Sequence, residues 1–184
     1  MKRWQKWSIA AVAVLMISGC ERNAARDNDA AVGTSGTAAL AAADRDFVVD
    51  MIEGGTAEVE LGRLAEEKVS NPAGREFAQV LVRDHQKTNA ELKSIATKYK
   101  IDVSNANLED HKNDMERMRK LSGPEFDREY MQMMVDKHEK TVTKLEERAN
   151  DDDNPEIRQW ASKTLPTVRQ HLEKAKAIKD SLKG

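Results

Sequence analysis

Apolar residues recur at intervals of three and four from Leu40 to Leu182, and nowhere do they alternate with polar residues over a sustained stretch. This spacing is typical of helices that bury one face. Glycine, proline and asparagine interrupt the pattern where they can end one helix and begin the next. The pattern predicts five helices, over residues 40–69, 72–100, 108–121, 124–149 and 155–182.

Four of the predicted helices are long, and the third is short. Two long helical hairpins joined by a short helical connection can bury all of the apolar stripes if they form a four-helix bundle. The sequence therefore predicts an all-α fold in which the short helix crosses or caps the bundle. Pro166 lies inside the last helix and is expected to bend it.

The first twenty residues are organised like a bacterial export signal. Three basic residues precede an apolar stretch at residues 9–17, which is shorter than the roughly 20 residues needed to span a bilayer. The stretch ends in Ile17-Ser18-Gly19-Cys20, which resembles the lipobox of bacterial lipoproteins. This resemblance implies that Cys20 is lipidated and becomes the mature N-terminus. The alternative is a secreted protein with a spare thiol.

Lipidation of Cys20 would tie the protein to a membrane surface without a spanning helix. Glu21 follows the cysteine. In the lipoproteins that this segment resembles, an Asp there commonly signals retention at the inner membrane, so its absence favours an outer-membrane location facing the periplasm. Residues 21–37 lack the apolar surface needed to offset chain entropy, which predicts a flexible tether. The expected organisation is a signal peptide at 1–19, the lipidated cysteine and disordered tether at 20–37, and a bundle domain at 38–184.

Composition excludes several classes of protein. Charged residues make up 34% of the 184 residues and aromatic residues only 4%, which excludes an all-β fold in practice. The net charge of −2 becomes more negative once the basic signal segment is removed, so a nucleic-acid partner is not expected. The single cysteine excludes an internal disulfide and a cysteine cage for a metal. Protein partners are not specified by the sequence.

One polar residue lies on the apolar stripe of each long helix: Glu58, His85, His138 and His171. Each stands three, four or seven residues from apolar neighbours, so it shares their face of the helix. Counted from the nearest turn or helix start, all four lie thirteen to sixteen residues along helices of similar length. The sequence therefore predicts that three imidazoles and one carboxylate meet near the middle of the bundle.

Such a cluster suits one divalent ion of the first transition row, namely zinc, copper, iron or manganese. Ring nitrogens more than about 8 Å apart would exclude a shared ion, because each bond is about 2 Å long. A second interpretation is a structural or interaction module whose buried histidine layer only specifies packing. A third is pH sensing, because buried histidines become costly when they are protonated.

Other chemistry finds less support in the sequence. Five methionines cluster between residues 115 and 134, a pattern that fits Cu(I) binding but more often fills gaps in a helical core. His111 also lies on an apolar face, but it belongs to the short helix and is left out of the site. An enzyme is the least expected class, because no nucleophile with a base, phosphate loop or nucleotide motif is recognisable.

Several short stretches resemble one known family. They are residues 58–65 (EVELGRLA), 77–79 (FAQ) with Asp84-His85, 126–131 (FDREYM) followed by His138, and Leu165-Pro166 with His171-Leu172. Together they resemble domain of unknown function 4142, a ferritin-like family of bacterial envelope proteins often labelled outer-membrane proteins. The resemblance covers about residues 40–180 and implies a ferritin-like bundle and an envelope location, but no activity. The Glu-x-x-His pairs of di-iron bundles are absent from this sequence, so oxidase activity is not carried over.

Overall fold

The computed structural model describes residues 40–103, 109–151 and 154–182, with the side chains of residues 109 and 110 excepted. The predicted signal peptide, the lipidated Cys20 and the tether lie outside the described residues and stay predictions. Among the residues that are described, no helix combines the length and the apolar character needed to cross a membrane.

All regular elements in the described part of the chain are helices, as the hydrophobic pattern predicts. The helices are α1 (Ala42–Lys68), α2 (Pro72–Lys98), α3 (Glu109–Lys120), α4 (Gly123–Ala149) and α5 (Pro155–Ser181). Each boundary lies within about two residues of the predicted one. α5 continues through Pro166 as one unbroken helix.

Asparagine and proline start two of the long helices. The side chain of Asn71 accepts a hydrogen bond from the backbone N–H of Gly74, and Pro72 takes the first helical position, where no N–H is needed. Asn154 accepts from the N–H groups of Glu156 and Ile157 in the same way. These local signals determine where α2 and α5 begin.

The four long helices form two hairpins that pack side by side. α1 packs along α2, α4 packs along α5, α2 lies next to α5, and α1 lies next to α4. α3 contacts both α1 and α4. Asp127 of α4 accepts hydrogen bonds from the backbone N–H groups of Ser70 and Asn71, so it joins the second hairpin to the turn of the first.

The core has two apolar clusters. The turn-side cluster surrounds the α1–α2 turn and includes Leu61, Phe77, Leu81, Phe126, Tyr130, Met134 and Leu172. The far cluster, at the other end of the bundle, includes Phe47, Ile52, Leu92, Leu145, Trp160 and Val168. The five clustered methionines all belong to the turn-side cluster, where they pack against other apolar side chains. Between the two clusters lies a layer of buried polar side chains.

Candidate metal centre

Each long helix contributes one side chain to the polar layer, as predicted. Glu58 comes from α1, His85 from α2, His138 from α4 and His171 from α5, and all four are buried. Each of these residues lies one or two helical turns from apolar residues of the two clusters. It is therefore on the buried face of its helix, and its side chain points into the core.

The three histidines converge on one point. Their ring centroids are 5.5 to 5.7 Å apart, and one ligand nitrogen from each ring lies within 4.8 Å of the other two. Two nitrogens that share an ion with bonds of about 2 Å can be about 4 Å apart at most, so a small inward movement of the rings would complete the geometry. Three buried histidines therefore lie close enough together to hold one metal ion.

One nitrogen of each ring has a hydrogen-bond acceptor beside it. Nδ1 of His85 lies 3.2 Å from Oε2 of Glu58, and His138 donates from Nδ1 to the carbonyl oxygen of Met134 at 2.8 Å. His171 donates from Nε2 to Oδ2 of Asp84 at 3.1 Å. Because carbonyl and carboxylate oxygens only accept, the ring nitrogen that faces each of them carries a hydrogen.

The other nitrogen of each ring is buried without a partner among the described residues. These atoms are Nε2 of His85, Nε2 of His138 and Nδ1 of His171. In a neutral imidazole whose first nitrogen carries the hydrogen, the second nitrogen carries a lone pair. Three buried lone pairs without donors are costly in a packed core, and lone pairs on neutral imidazole are what a metal ion requires.

Glu58 lies beside this group of three nitrogens and is not part of it. Its oxygens face Nδ1 of His85 at 3.2 Å and Nδ1 of His138 at 3.8 Å. The predicted role of Glu58 as a fourth ligand stays a prediction. In its observed position the carboxylate orients His85, as carboxylates behind metal-binding histidines often do.

The protonation states at the site follow from burial and from the paired groups. Burial lowers the pKa of His85, and the attraction of Glu58 only partly offsets this. Burial also lowers the pKa of His171, to about 4, against the opposing effect of its hydrogen bond to Asp84. Burial by itself would raise the pKa of Glu58, but the attraction of His85 and His138 outweighs it and leaves the pKa below its ordinary value. At neutral pH the site therefore has neutral His85 and His171 rings and a carboxylate.

Asp84 contacts a histidine on another helix and not the histidine next to it in the chain. It adjoins His85 in the chain but projects about 100° away from it around α2, so it cannot support that ring. Its carboxylate instead reaches His171 on α5. The remaining histidine, His111, bonds to Glu60 through Nε2 at 2.9 Å and lies outside the group of three, in agreement with its exclusion from the predicted site.

Two comparisons with known proteins agree with this architecture. The family described as "Domain of unknown function (DUF4142)" matches residues 29–178, which include all four residues of the polar layer. A crystal structure of a DUF305 fragment from Deinococcus radiodurans is similar with a TM-score of 0.69, over 77% of this chain and 98% of that chain, at 13% sequence identity. At that identity the likeness shows the helical-bundle fold alone. The curated proteins gave no match. Because the family match spans most of the chain, the protein belongs to the DUF4142 family of unknown function.

Proposed function

We propose that this protein is a lipid-anchored protein of the bacterial envelope whose bundle binds one divalent metal ion through His85, His138 and His171. The observation that carries the proposal is a group of three buried histidines that each offer a nitrogen within 4.8 Å of the other two, and that each have one ring nitrogen with no hydrogen-bond partner among the described residues. A layer that served only to specify packing would not need three such nitrogens at one point, because each unsatisfied buried polar atom costs free energy.

The charges around the site favour a divalent cation. Three neutral imidazoles would bind the ion, while the carboxylate of Glu58 lies 3.2 Å from Nδ1 of His85 and Asp84 accepts a hydrogen bond from Nε2 of His171. The two carboxylates together would compensate a charge of +2. Imidazole ligands suit zinc, copper and iron in particular, and manganese is a further candidate. Because the five clustered methionines pack in the apolar turn-side cluster, their position supports a core role more than Cu(I) binding.

The cellular part of the proposal rests on the sequence. The apolar stretch before Cys20 and the lipobox-like Ile17-Ser18-Gly19-Cys20 support export and lipidation, and Glu21 supports the outer membrane. An anchored bundle at that surface, facing the periplasm, would capture metal ions there for sensing, storage or delivery. The membrane is then its one expected partner.

The test is metal content and metal-dependent stability of protein purified without a histidine tag. We expect about one ion per chain and a thermal unfolding midpoint that rises with added metal, because a ligand that binds only the folded state stabilises it by about 2.7 kcal/mol at one hundred times its Kd. The His85→Ala/His138→Ala/His171→Ala variant should lose both properties. His111→Ala is the matched control, because it removes a buried histidine outside the group of three.

The alternative module, whose histidine layer only specifies packing, makes the opposite forecast. Wild type and the triple variant would then hold equally little zinc, copper, iron and manganese. Neither chelators nor added ions would change the unfolding temperature of the wild type.

A further inference from the structure

We propose that the ion at this centre keeps one exchangeable coordination position, which faces a small cavity beside the α2–α5 seam and takes water or a small inorganic anion. The inference rests on the proposed function, because it requires a metal ion at His85, His138 and His171.

The number of protein donors leaves a position free. Among the described residues, the close group of donor atoms consists of the three histidines alone. Glu58 and Asp84 are carboxylates that could complete a set of four, but Glu58 faces Nδ1 of His85 at 3.2 Å and Asp84 accepts a hydrogen bond from Nε2 of His171. Three protein ligands and one open position are typical of exchangeable metal sites, whereas structural zinc sites have four protein ligands.

A cavity of about 30 Å³ adjoins the site. His85 and His171 form part of its wall, together with Thr88, Asn89 and Thr164. A cavity needs about 10–15 Å³ to hold one water molecule, so this one has room for a water or for an ion of two or three atoms. Met51, Leu145 and Val168 supply apolar parts of the wall, and the threonines and Asn89 supply polar groups beside the histidines that a water or a small anion can contact.

Trp160 supplies a second sign of a polar occupant. The indole also lines the cavity, and its Nε1 is buried without a hydrogen-bond partner among the described residues. An indole N–H only donates, so the group that would satisfy it is an acceptor such as a water oxygen or an anion.

Solvent lies close to this cavity. A depression of about 170 Å³ on the surface between α2 and α5 shares Asp84, Thr88, Thr164 and Thr167 with the cavity wall. The two spaces therefore share four short side chains in their walls. Small rotations of the threonines would let a small ligand pass, while a bulky one would be excluded.

The charge of the centre allows two classes of ligand. A divalent ion on three neutral imidazoles carries +2, and the carboxylates of Glu58 and Asp84 lie nearby and compensate that charge, so the open position can take a neutral water or a small anion. The cavity volume restricts the anions to small inorganic ones.

The probe is sodium azide added to the full chain loaded with Co²⁺, whose visible absorption reports the ligands of the ion. We expect a saturable shift of the cobalt bands with azide and none with benzoate, which is too large for the cavity. Unchanged bands at excess azide, or an equal shift with benzoate, would overturn the inference. A chain that takes up no Co²⁺ at all would contradict the proposed function instead.

Substitutions in the cavity wall locate the azide site. Thr164→Leu should fill the cavity and weaken azide binding at least about tenfold, with the cobalt content per chain unchanged. Thr167→Leu, at the half-buried rim, provides the same test with less risk to folding. Val80→Leu is the matched control, because Val80 lines a separate groove between α2 and α5 that does not include the histidines. If both threonine variants bind azide like the wild type, the cavity is not the azide site.

Discussion

At the scale of single residues, the candidate centre depends on what lies behind each imidazole. His138 donates to the carbonyl of Met134 and His171 donates to Asp84, while Nδ1 of His85 faces the carboxylate of Glu58 at 3.2 Å. These contacts favour one orientation of each ring and restrict its rotation. The centre is therefore preorganised by groups that need not touch the ion.

This arrangement predicts the effect of Glu58→Gln. The variant should still bind one ion per chain, with an affinity lower by about 10- to 100-fold, because the acceptor behind His85 loses its charge. Competition with a chelator of known affinity measures the change. Glu60→Gln is the control on the same helix, since Glu60 bonds to His111 outside the centre. Complete loss of metal in Glu58→Gln would show instead that Glu58 is itself a ligand.

At the scale of helices, close approach of α1 and α2 depends on a glycine. A Cβ atom added at Gly62 would lie 2.6 Å from Cγ2 of Val82 and 3.3 Å from Cδ2 of Leu81. Val82 is β-branched and has one strongly preferred rotamer in a helix, so it cannot easily turn away. Gly54, in contrast, has no neighbouring atom within 4 Å of an added Cβ.

A comparison of Gly62→Ala with Gly54→Ala separates the effect of helix packing on stability from the effect of helix propensity. Both substitutions gain about 0.5–1 kcal/mol because alanine loses less backbone entropy than glycine in a helix. Gly62→Ala should nevertheless lower the free energy of unfolding by about 1–2 kcal/mol, because the overpacking cost is larger, whereas Gly54→Ala should raise it. Urea unfolding of the three proteins measures both effects. Equal stabilisation by the two substitutions would mean that α1 and α2 are not in close contact at Gly62.

At the scale of the whole molecule, the polar layer makes stability of the metal-free protein depend on pH. The pKa of His85 is lowered in the folded protein and that of His171 falls to about 4, against 6.5 for an ordinary histidine. Between about pH 6.5 and pH 4 the unfolded chain therefore binds more protons than the folded one, so stability rises with pH in this window. The carboxylates Glu58 and Asp84 have lowered pKa values, so their contribution is lost only at more acidic pH.

We expect metal-free protein to lose stability steadily between pH 7 and pH 4, by an amount on the order of 3 kcal/mol from His171 alone. Urea unfolding at several pH values measures the slope. His171→Asn should make the slope shallower, because the contribution of that residue is removed while that of His85 remains. Saturating metal should reduce the loss of stability near neutral pH, because imidazoles that bind the metal ion must stay neutral. A flat profile for the metal-free wild type would contradict the assigned pKa directions.

Much of the molecule was predictable because the relevant forces act within one helix. Spacing of apolar residues identified the five helices, and Asn71-Pro72 and Asn154-Pro155 marked two of their starts. The same spacing placed the three histidines and Glu58 on buried faces, and counting from the turns placed them at one level. These features depend on the helical repeat and on the rise per residue, which are the same in every helix.

The chemistry of the site was decided only by the tertiary structure. No pattern along the chain shows that the carbonyl of Met134 holds His138, that Asp84 reaches His171, or that Thr88 and Thr164 line a cavity beside the rings. The neighbour relation of α2 and α5, the rotamer of each ring and the nitrogen that keeps its lone pair all depend on distances between helices. Sequence alone could therefore determine which side chains enter the core and at what height. Only the packed bundle, in which segments far apart in the chain come within hydrogen-bond distance, could decide which atoms face one another.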